Sequence, residues 1–416
     1  MDSTGSNSSD RPTDGAPVVV GLSTFNQAGT IGDVVHALVR GLEAHGAGGV
    51  ILIADTGSND GSLEAARRAG GDRVVEVACP RHVPIAAMPY HGQPGRAGAL
   101  RALLEAARAR GARACAVVDG SLTAIAPDRV DRLIAPVVDG RADYVSPYYT
   151  RHPFDGPITN AIVAPVFRAL YGVGIRQPAA LEFGCGDGFM GHLLEMEWWD
   201  REGAAWSADQ WIASAAVCDG FRVCEAPLGV RVAAGHDAPV DLSTTLTQVV
   251  GGLFTDLDER VDDWQRARGT VPAPVCGTAP EGESDVPSIN LDRLMDGFRL
   301  GYQELRDIWT WVLPPRTLVE LRKLAGAPLD AFHFDDELWA GIVYDFAFGY
   351  CFHVMPRDHL LRSLTPLYAG WMASFVAQAD GSPQAARARL DQVARAFESQ
   401  KRHLISRWRW PEKIRR

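Results

Sequence analysis

A chain of 416 residues, 46% apolar and 22% charged, has ordinary globular composition and is too long for one small core, so two domains or one extended α/β domain are expected. A formal net charge of −10 argues against nucleic acid as a partner, because phosphates would be repelled. No stretch reaches the roughly 18 consecutive apolar residues of a membrane span.

Residues 1–16 carry neither the basic nor the apolar region of a signal peptide and read as a disordered leader. The first half then alternates strands and helices. Val18 to Leu22 is a short apolar run, and Ile31 to Ala44 has apolar residues at helical spacing with Thr30 as N-cap. Val50 to Ala54 is the next strand and Gly61 to Ala69 the next helix. Val74 to Val77 is a third strand, Gly98 to Ala109 a helix, and Ala114 to Val118 a fourth strand. This alternation predicts a mostly parallel sheet with ligands at the carboxyl ends of its strands. Residues 270–288 are rich in Pro, Gly, Ser and acid and read as a linker. Beyond it the pattern is helical, punctuated by Pro314, Pro315 and Pro356. The expected organisation is therefore a nucleotide-binding domain over 17–269, the linker, and a helical domain over 289–416. The Arg-rich end from Leu404 reads as a solvated helix end. Seven scattered cysteines without a CxxC pair imply no zinc site or disulfide framework, and fit a reduced, cytoplasmic compartment.

Four polar loops follow the four strands: Ser23 to Gln27, Asp55 to Gly61, Gly95 to Gly98 and Asp119 to Ser121. Asp55 can accept the ring N–H of a uracil or guanine, and Arg96 can neutralise a diphosphate. Asp119 can hold a ribose hydroxyl or a divalent cation. Each loop alone reads as an ordinary turn; four in register with four strands point to one ligand.

In these loops, in the long segment from Val117 to Pro178, in Phe221 to Val232, and in two helical segments (337–350 and 357–376), the chain resembles the GT-A glycosyltransferases of the family 2 kind. More narrowly it resembles the glucosylglycerate, glucosyl-3-phosphoglycerate and mannosylglycerate synthase group. That resemblance implies a Rossmann-like GT-A domain with a helical C-terminal domain. It implies transfer of a sugar, with retention, from a nucleoside-diphosphate sugar to a small polar acceptor. A GDP-sugar is favoured as donor and a D-glycerate-like acceptor or a specialised metabolite is expected, with a homodimer as the assembly. Carried over by position, Thr24, Phe25, Gln27, Asp55, Arg96, Asp119 and Ser121 would bind the donor. Tyr149, Arg151, Thr159, Asn160 and Trp206 would face sugar and acceptor, and Asp209 and Glu182 would orient the reacting hydroxyls. Asp119 and His236 would be the metal ligands.

Two departures from the family pattern matter. Asp119-Gly120-Ser121 stands where the family has a D-x-D, so a carboxylate that ligates Mg²⁺ or Mn²⁺ is replaced by a hydroxyl and metal dependence is in doubt. Arg96 stands for the usual lysine. A weakened metal site suits a thiol acceptor, as in the S-glycosyl transfer of a GDP-octose to ergothioneine in lincosamide biosynthesis, because a thiolate needs less activation than an alcohol. Bland readings stand beside these: His236 as a solvated loop histidine, Asp60 as a turn residue, and Trp198, Trp199, Trp206 and Trp211 as packing, with Trp206 and Trp211 flanking the site. Two rival functions remain. The chain could hold a nucleotide sugar without transferring it, or the Gly-rich stretch Leu181 to Glu195 could be an S-adenosylmethionine loop.

Overall fold

The computed structural model describes residues 17–44, 49–81, 88–201, 203–233, 241–280, 282, 284 and 287–410. The sheet-forming half runs β1 (Val18–Thr24), α1 (Ile31–Ala44), β2 (Val50–Asp55), α2 (Ser62–Gly70), β3 (Val74–Glu76), α3 (Arg96–Ala109) and β4 (Ala114–Asp119). It continues through α4 (Asp128–Val138), β5 (Tyr144–Thr150), α5 (Ala164–Tyr171), β6 (Val173–Gly174), β7 (Phe183–Gly186), α6 (Asp187–Glu195), α7 (Ala204–Cys218) and β8 (Val223–Val230). Then follow α8 (Leu242–Glu259), α9 (Val261–Arg266), β9 (Val271–Pro272), α10 (Leu291–Trp309), α11 (Pro315–Gly326), α12 (Asp336–Cys351), α13 (Arg357–Ala379) and α14 (Pro383–Arg409).

The order β3-β2-β1-β4-β7-β5-β8 makes a seven-stranded sheet. It is parallel except for β7, which runs antiparallel to both β4 and β5. The four leading strands form where expected, because a parallel strand covered on both faces needs a continuous apolar run. Val18, Val20 and Leu22 pack on one face with α1 and α4, while Val19, Leu52 and Val117 join α3, α7 and α8 on the other. Gly21 lets Leu103 lie flush on the sheet, 3.3 Å from where a Cβ would stand. Each fully buried Val, Ile or Leu here contributes roughly 1.5–3 kcal/mol.

The core on the second face continues without a break into the C-terminal helices: Trp339, Trp371 and Phe397 belong to the same cluster as Leu100 and Phe167. α12 is apolar on nearly every side, as a helix surrounded by others must be. The prolines act as punctuation, with Pro315 at the first turn of α11 and Pro356 just ahead of α13. Part of the segment expected as a linker is instead built onto the sheet. Val271–Pro272 pairs with β6, and Glu225 exchanges backbone hydrogen bonds of 2.8 Å with Pro274 and Cys276.

β7 was not foreseen as a strand, since Phe183-Gly184-Cys185-Gly186 reads as a loop. Its glycines answer a packing need. A Cβ on Gly184 would stand 2.0 Å from the carbonyl oxygen of Leu133 in α4. Gly184→Ala is therefore expected to lose about 3 kcal/mol or more, the upper range for overpacking against backbone. A urea midpoint equal to wild type would refute that close approach.

Candidate functional site at the carboxyl edge of the sheet

From β1 the chain builds β2 and β3 on one side and then crosses to β4 on the other. The gap between β1 and β4 is thus a topological switch point, where open α/β sheets hold their ligands. Register aligns Thr24 with Asp55 and Ser23 with Asp119 along this edge. Because β7 is antiparallel, its start also lies there: Phe183 opposes Val117, which places Glu182 beside the end of β4. Arg231, one residue past β8, closes the row on the far side.

The loops after β1 and β2 lock into each other. Asn26 takes a left-handed backbone, φ 50°. Its amide donates to Ser58 Oγ at 2.9 Å, and its side-chain oxygen accepts from the Asn59 amide at 3.0 Å. Asp60, read as a turn residue, ties the loops together by accepting from the Ala28 and Ser62 amides at 2.9 and 3.0 Å. These bonds and the Ser62 hydroxyl hold its carboxyl below the usual range in spite of burial. Half-buried Asp55 uses Oδ1 to accept from the Gly57 and Ser58 amides at 2.9 and 2.8 Å. Its Oδ2 has no hydrogen-bond partner among the described residues. Phe25, which follows Thr24 in the chain, is half-buried.

Three buried polar atoms at the end of β1 lack a hydrogen-bond partner among the described residues: Thr24 Oγ1, Gln27 Oε1 and Gln93 Nε2. Native interiors leave few such groups, so a cluster of them at a switch point marks a place where something polar binds. Gln27 lies over Gly120, with Oε1 2.5 Å from where a Cβ would stand, so a side chain at the centre of the Asp119-Gly120-Ser121 turn would have to displace the Gln27 amide.

Behind this edge runs a ladder of buried ion pairs. Arg96, wholly buried, donates Nε and Nη2 to Asp209 at 2.8 and 2.7 Å. Its remaining donors go to Ser23 Oγ and Gln93 Oε1, both at 2.8 Å, and to the Leu181 carbonyl at 2.7 Å. All five N–H groups are thus committed. Arg96, expected to face a diphosphate, instead pins α3 to α7 and to the end of β1. Asp209, expected to orient substrate, is the buried counter-ion of that guanidinium. Glu182 accepts from Arg129 Nε and Nη2 at 2.9 and 3.2 Å and from the Tyr149 hydroxyl at 2.6 Å. Burial first, and the Glu182 charge second, push the Tyr149 phenol well above its ordinary range, so it stays a neutral donor.

Asp119 is fully buried. Its Oδ1 accepts from the Ser121 amide and hydroxyl at 2.9 and 2.7 Å, and its Oδ2 is paired with Arg231. Burial opposes ionisation, but Arg231 and the Ser121 bonds outweigh it and hold the carboxyl below its ordinary value. Arg231 keeps about a fifth of its side chain exposed, unlike Arg96. It is therefore the cation that this edge presents outward. Arg231 and Arg129 escaped the sequence reading. The usable signal was the presence of three acids in apolar surroundings, each of which needs a buried cation.

The donor set does not fit a divalent cation among the described residues. Both oxygens of Asp119 already accept hydrogen bonds, a guanidinium occupies the position of the countercharge, and no cluster of three His, Cys, Asp or Glu residues is present. His236 lies outside the described residues.

The expected sugar and acceptor residues gather on the β5 side. The Arg151 guanidinium lies over the Tyr149 ring, 4.9 Å from its centroid. Asn160 donates to the Pro153 and Asp155 carbonyls at 3.1 and 2.9 Å, so its amide shapes the loop after β5. Thr159 opens a single π-helical turn, Thr159–Val163, a distortion common near functional sites. Trp206 is half-buried on α7, one turn before Asp209. Trp211, expected to flank the site, is stacked on Trp198 at 4.3 Å with its ring almost wholly buried, and serves packing. The Gly-rich stretch read as an S-adenosylmethionine loop starts at this edge with Leu181 and Glu182, but its later glycines lie at the opposite edge of the sheet, since Gly186 opposes Ala114 at the start of β4.

No protein-family model matches the chain, and no curated protein matches it. Among solved structures it is similar to glucosyl-3-phosphoglycerate synthase from Mycobacterium tuberculosis in complex with Mn²⁺, UDP-glucose and phosphoglyceric acid. Identity there is 20%, covering 58% of this chain and 80% of that one with a TM-score of 0.45. A second structure of the M. tuberculosis synthase gives 21% identity, 58% and 81% coverage and a TM-score of 0.43. A mycobacterial protein of unspecified activity gives 20%, 59%, 74% and 0.43. Scores and identities this low assign no activity to the chain. Among the described residues no helix is long and apolar enough to cross a membrane.

Proposed function

We propose that this chain is a glycosyltransferase of the GT-A kind that moves a sugar from a nucleoside-diphosphate sugar, with GDP-sugars the first candidates, to a small polar acceptor. The observation that carries this reading is the placement of Asp55 and Asp119 on the strands flanking β1, beside Thr24 Oγ1, Gln27 Oε1 and Gln93 Nε2, three buried atoms without a partner. A base edge fits Asp55 Oδ2, and a ribose fits the Thr24 and Gln27 side. The departing diphosphate fits Arg231, the partly exposed guanidinium of the edge, since Arg96 has no donor left to offer. Negative charge that develops on the leaving group is then stabilised by a preorganised cation. No carboxylate need act as a strong base, because the leaving diphosphate can take the acceptor proton. Asp209 and Glu182 act as positioning residues, holding Arg96, Arg129 and Tyr149 in place.

The commitment of both Asp119 oxygens also supports a second reading, a binder of nucleotide sugars without transfer. Calorimetry across UDP-, GDP- and ADP-sugars, with and without Mg²⁺, followed by assay of nucleoside-diphosphate release with glycerate-like and thiol acceptors, separates the two. One base is expected to bind at least tenfold better than the others, about 1.4 kcal/mol, with that preference lost in Asp55→Ala. Binding without release in any acceptor panel favours the binder. Binding of S-adenosylmethionine and of no nucleotide would overturn both.

A further inference from the structure

β8 is the last strand of the sheet, and the segment after β9 covers its outer side. Glu225 pairs there with Val275 in a parallel bridge. Its amide donates to the Pro274 carbonyl and its carbonyl accepts from the Cys276 amide, both at 2.8 Å. Successive side chains along a strand point to opposite faces. Glu225 therefore turns to one face, where it meets Arg176 at 3.1 Å. Cys224 and Cys276 share the other, against the core beneath α1 and α4. Their thiols are in hydrogen-bond contact.

The two sulfurs differ in access. Cys224 is 2% exposed, whereas Cys276 is half-buried and so is the thiol that solvent can reach. Two guanidinium groups stand around it. Arg132, on α4, donates to the Thr278 carbonyl at 2.7 Å, just past Cys276, and the charge of Arg141 acts on both thiols. A half-exposed thiol among cations, with a second thiol in contact, is the arrangement of a redox-active pair. Burial first, and the Cys276 thiol next, push the Cys224 thiol above its ordinary range, so Cys224 keeps its proton until its partner has reacted. Cys115 and Cys185 form a contrasting pair. They oppose each other directly on β4 and β7, but both are fully buried, out of reach of an oxidant.

We propose that Cys224 and Cys276 are a reversible dithiol–disulfide pair, oxidised by a hydroperoxide, that staples the segment after β9 to the edge of the sheet. The Cys276 thiolate attacks a peroxide oxygen and the O–O bond breaks. A sulfenic acid forms, and the departing hydroxide takes the proton that Cys276 gave up and leaves as water. The Cys224 sulfur then displaces the sulfenic hydroxyl, which leaves as a second water with the Cys224 proton. Two thiols thus lose two electrons, and the peroxide accepts them. The segment is tied to β8 by one bridge, which leaves the slack needed to reach disulfide geometry. The closed loop holds Arg231, α8 and α9.

The test treats the full chain with hydrogen peroxide, alkylates the remaining thiols after unfolding, and maps crosslinked peptides by mass spectrometry. One disulfide, Cys224–Cys276, is expected, lowering the count of seven thiols by two and reversed by dithiothreitol. Cys276→Ser should abolish it. Cys224→Ala, a small apolar replacement at a buried position, should instead let the Cys276 sulfenic acid accumulate and be captured by dimedone, with circular dichroism confirming the fold. An unchanged thiol count, a Cys115–Cys185 crosslink in place of this one, or no capture at Cys276 in the folded Cys224→Ala chain would overturn the proposal.

Discussion

Replacing Asp209 with alanine is expected to destabilise the protein by about 3–5 kcal/mol, the cost typical of leaving one partner of a buried ion pair without the other. The pair with Arg96 is 1% and 3% exposed, so water cannot take over the lost bonds. Two of the five Arg96 donors would have no acceptor, and the charge would face Tyr90 and the end of β1 in a dry interior. Equilibrium urea unfolding measures the loss. The double variant Arg96→Met with Asp209→Leu should be less destabilised than the sum of Arg96→Met and Asp209→Leu made singly, by about 1–3 kcal/mol of coupling, because the burial cost of both charges disappears together. Additive single and double variants would mean that the pair is not the contact described here.

Arg231→Met is expected to have the second large effect, and the effect should depend on pH. The sign follows from Asp119. With Arg231 present the carboxyl is held below its ordinary value, so its stabilising contribution is in place above the unfolded-state pKa of 3.8 and fades as pH falls through the lower folded value. Without Arg231, only the Ser121 bonds and the Arg96 charge oppose burial, so the Asp119 pKa rises above its wild-type value, and the variant is penalised most while the carboxyl is ionised and relieved as it takes a proton. The stability gap between wild type and Arg231→Met should therefore narrow as pH falls through the variant's Asp119 pKa towards the lower wild-type value. Nucleoside-diphosphate affinity should fall at the same time, by roughly ten- to a hundredfold, the range of a lost charge-assisted contact. A gap independent of pH would mean that Arg231 does not govern Asp119.

The parts of the fold that were legible are those in which one residue type repeats for one physical reason. β1, β2 and β4 are covered on both faces and so are mainly Val, Ile, Leu and Ala up to the polar residues at their carboxyl ends, with Gly21 and Cys115 as small exceptions. α12 and α13 are apolar because helices surround them. β7 was not legible, since the approach of the Leu133 carbonyl demands glycine where a strand would ordinarily show Val or Ile. Asp55 and Asp119 were legible from their positions at strand ends, and Glu182 and Asp209 from the family resemblance, but the partners of the buried acids were not. Asp209 meets Arg96 across 113 residues of sequence, and Arg231 meets Asp119 across 112. No local pattern encodes such a distance. The exchange of roles between Arg96 and Arg231 follows from this: both are single arginines beside apolar runs, and only the fold decides which one keeps a face to solvent.

Hydrogen–deuterium exchange of the full chain with and without GDP and UDP tests the central claim most directly. If a nucleoside diphosphate settles over the β1–β4 switch point, amide protection should rise in peptides covering 23–30, 55–62 and 119–123. Protection confined to 181–195 or to the C-terminal helices, or none with either nucleotide, would contradict it.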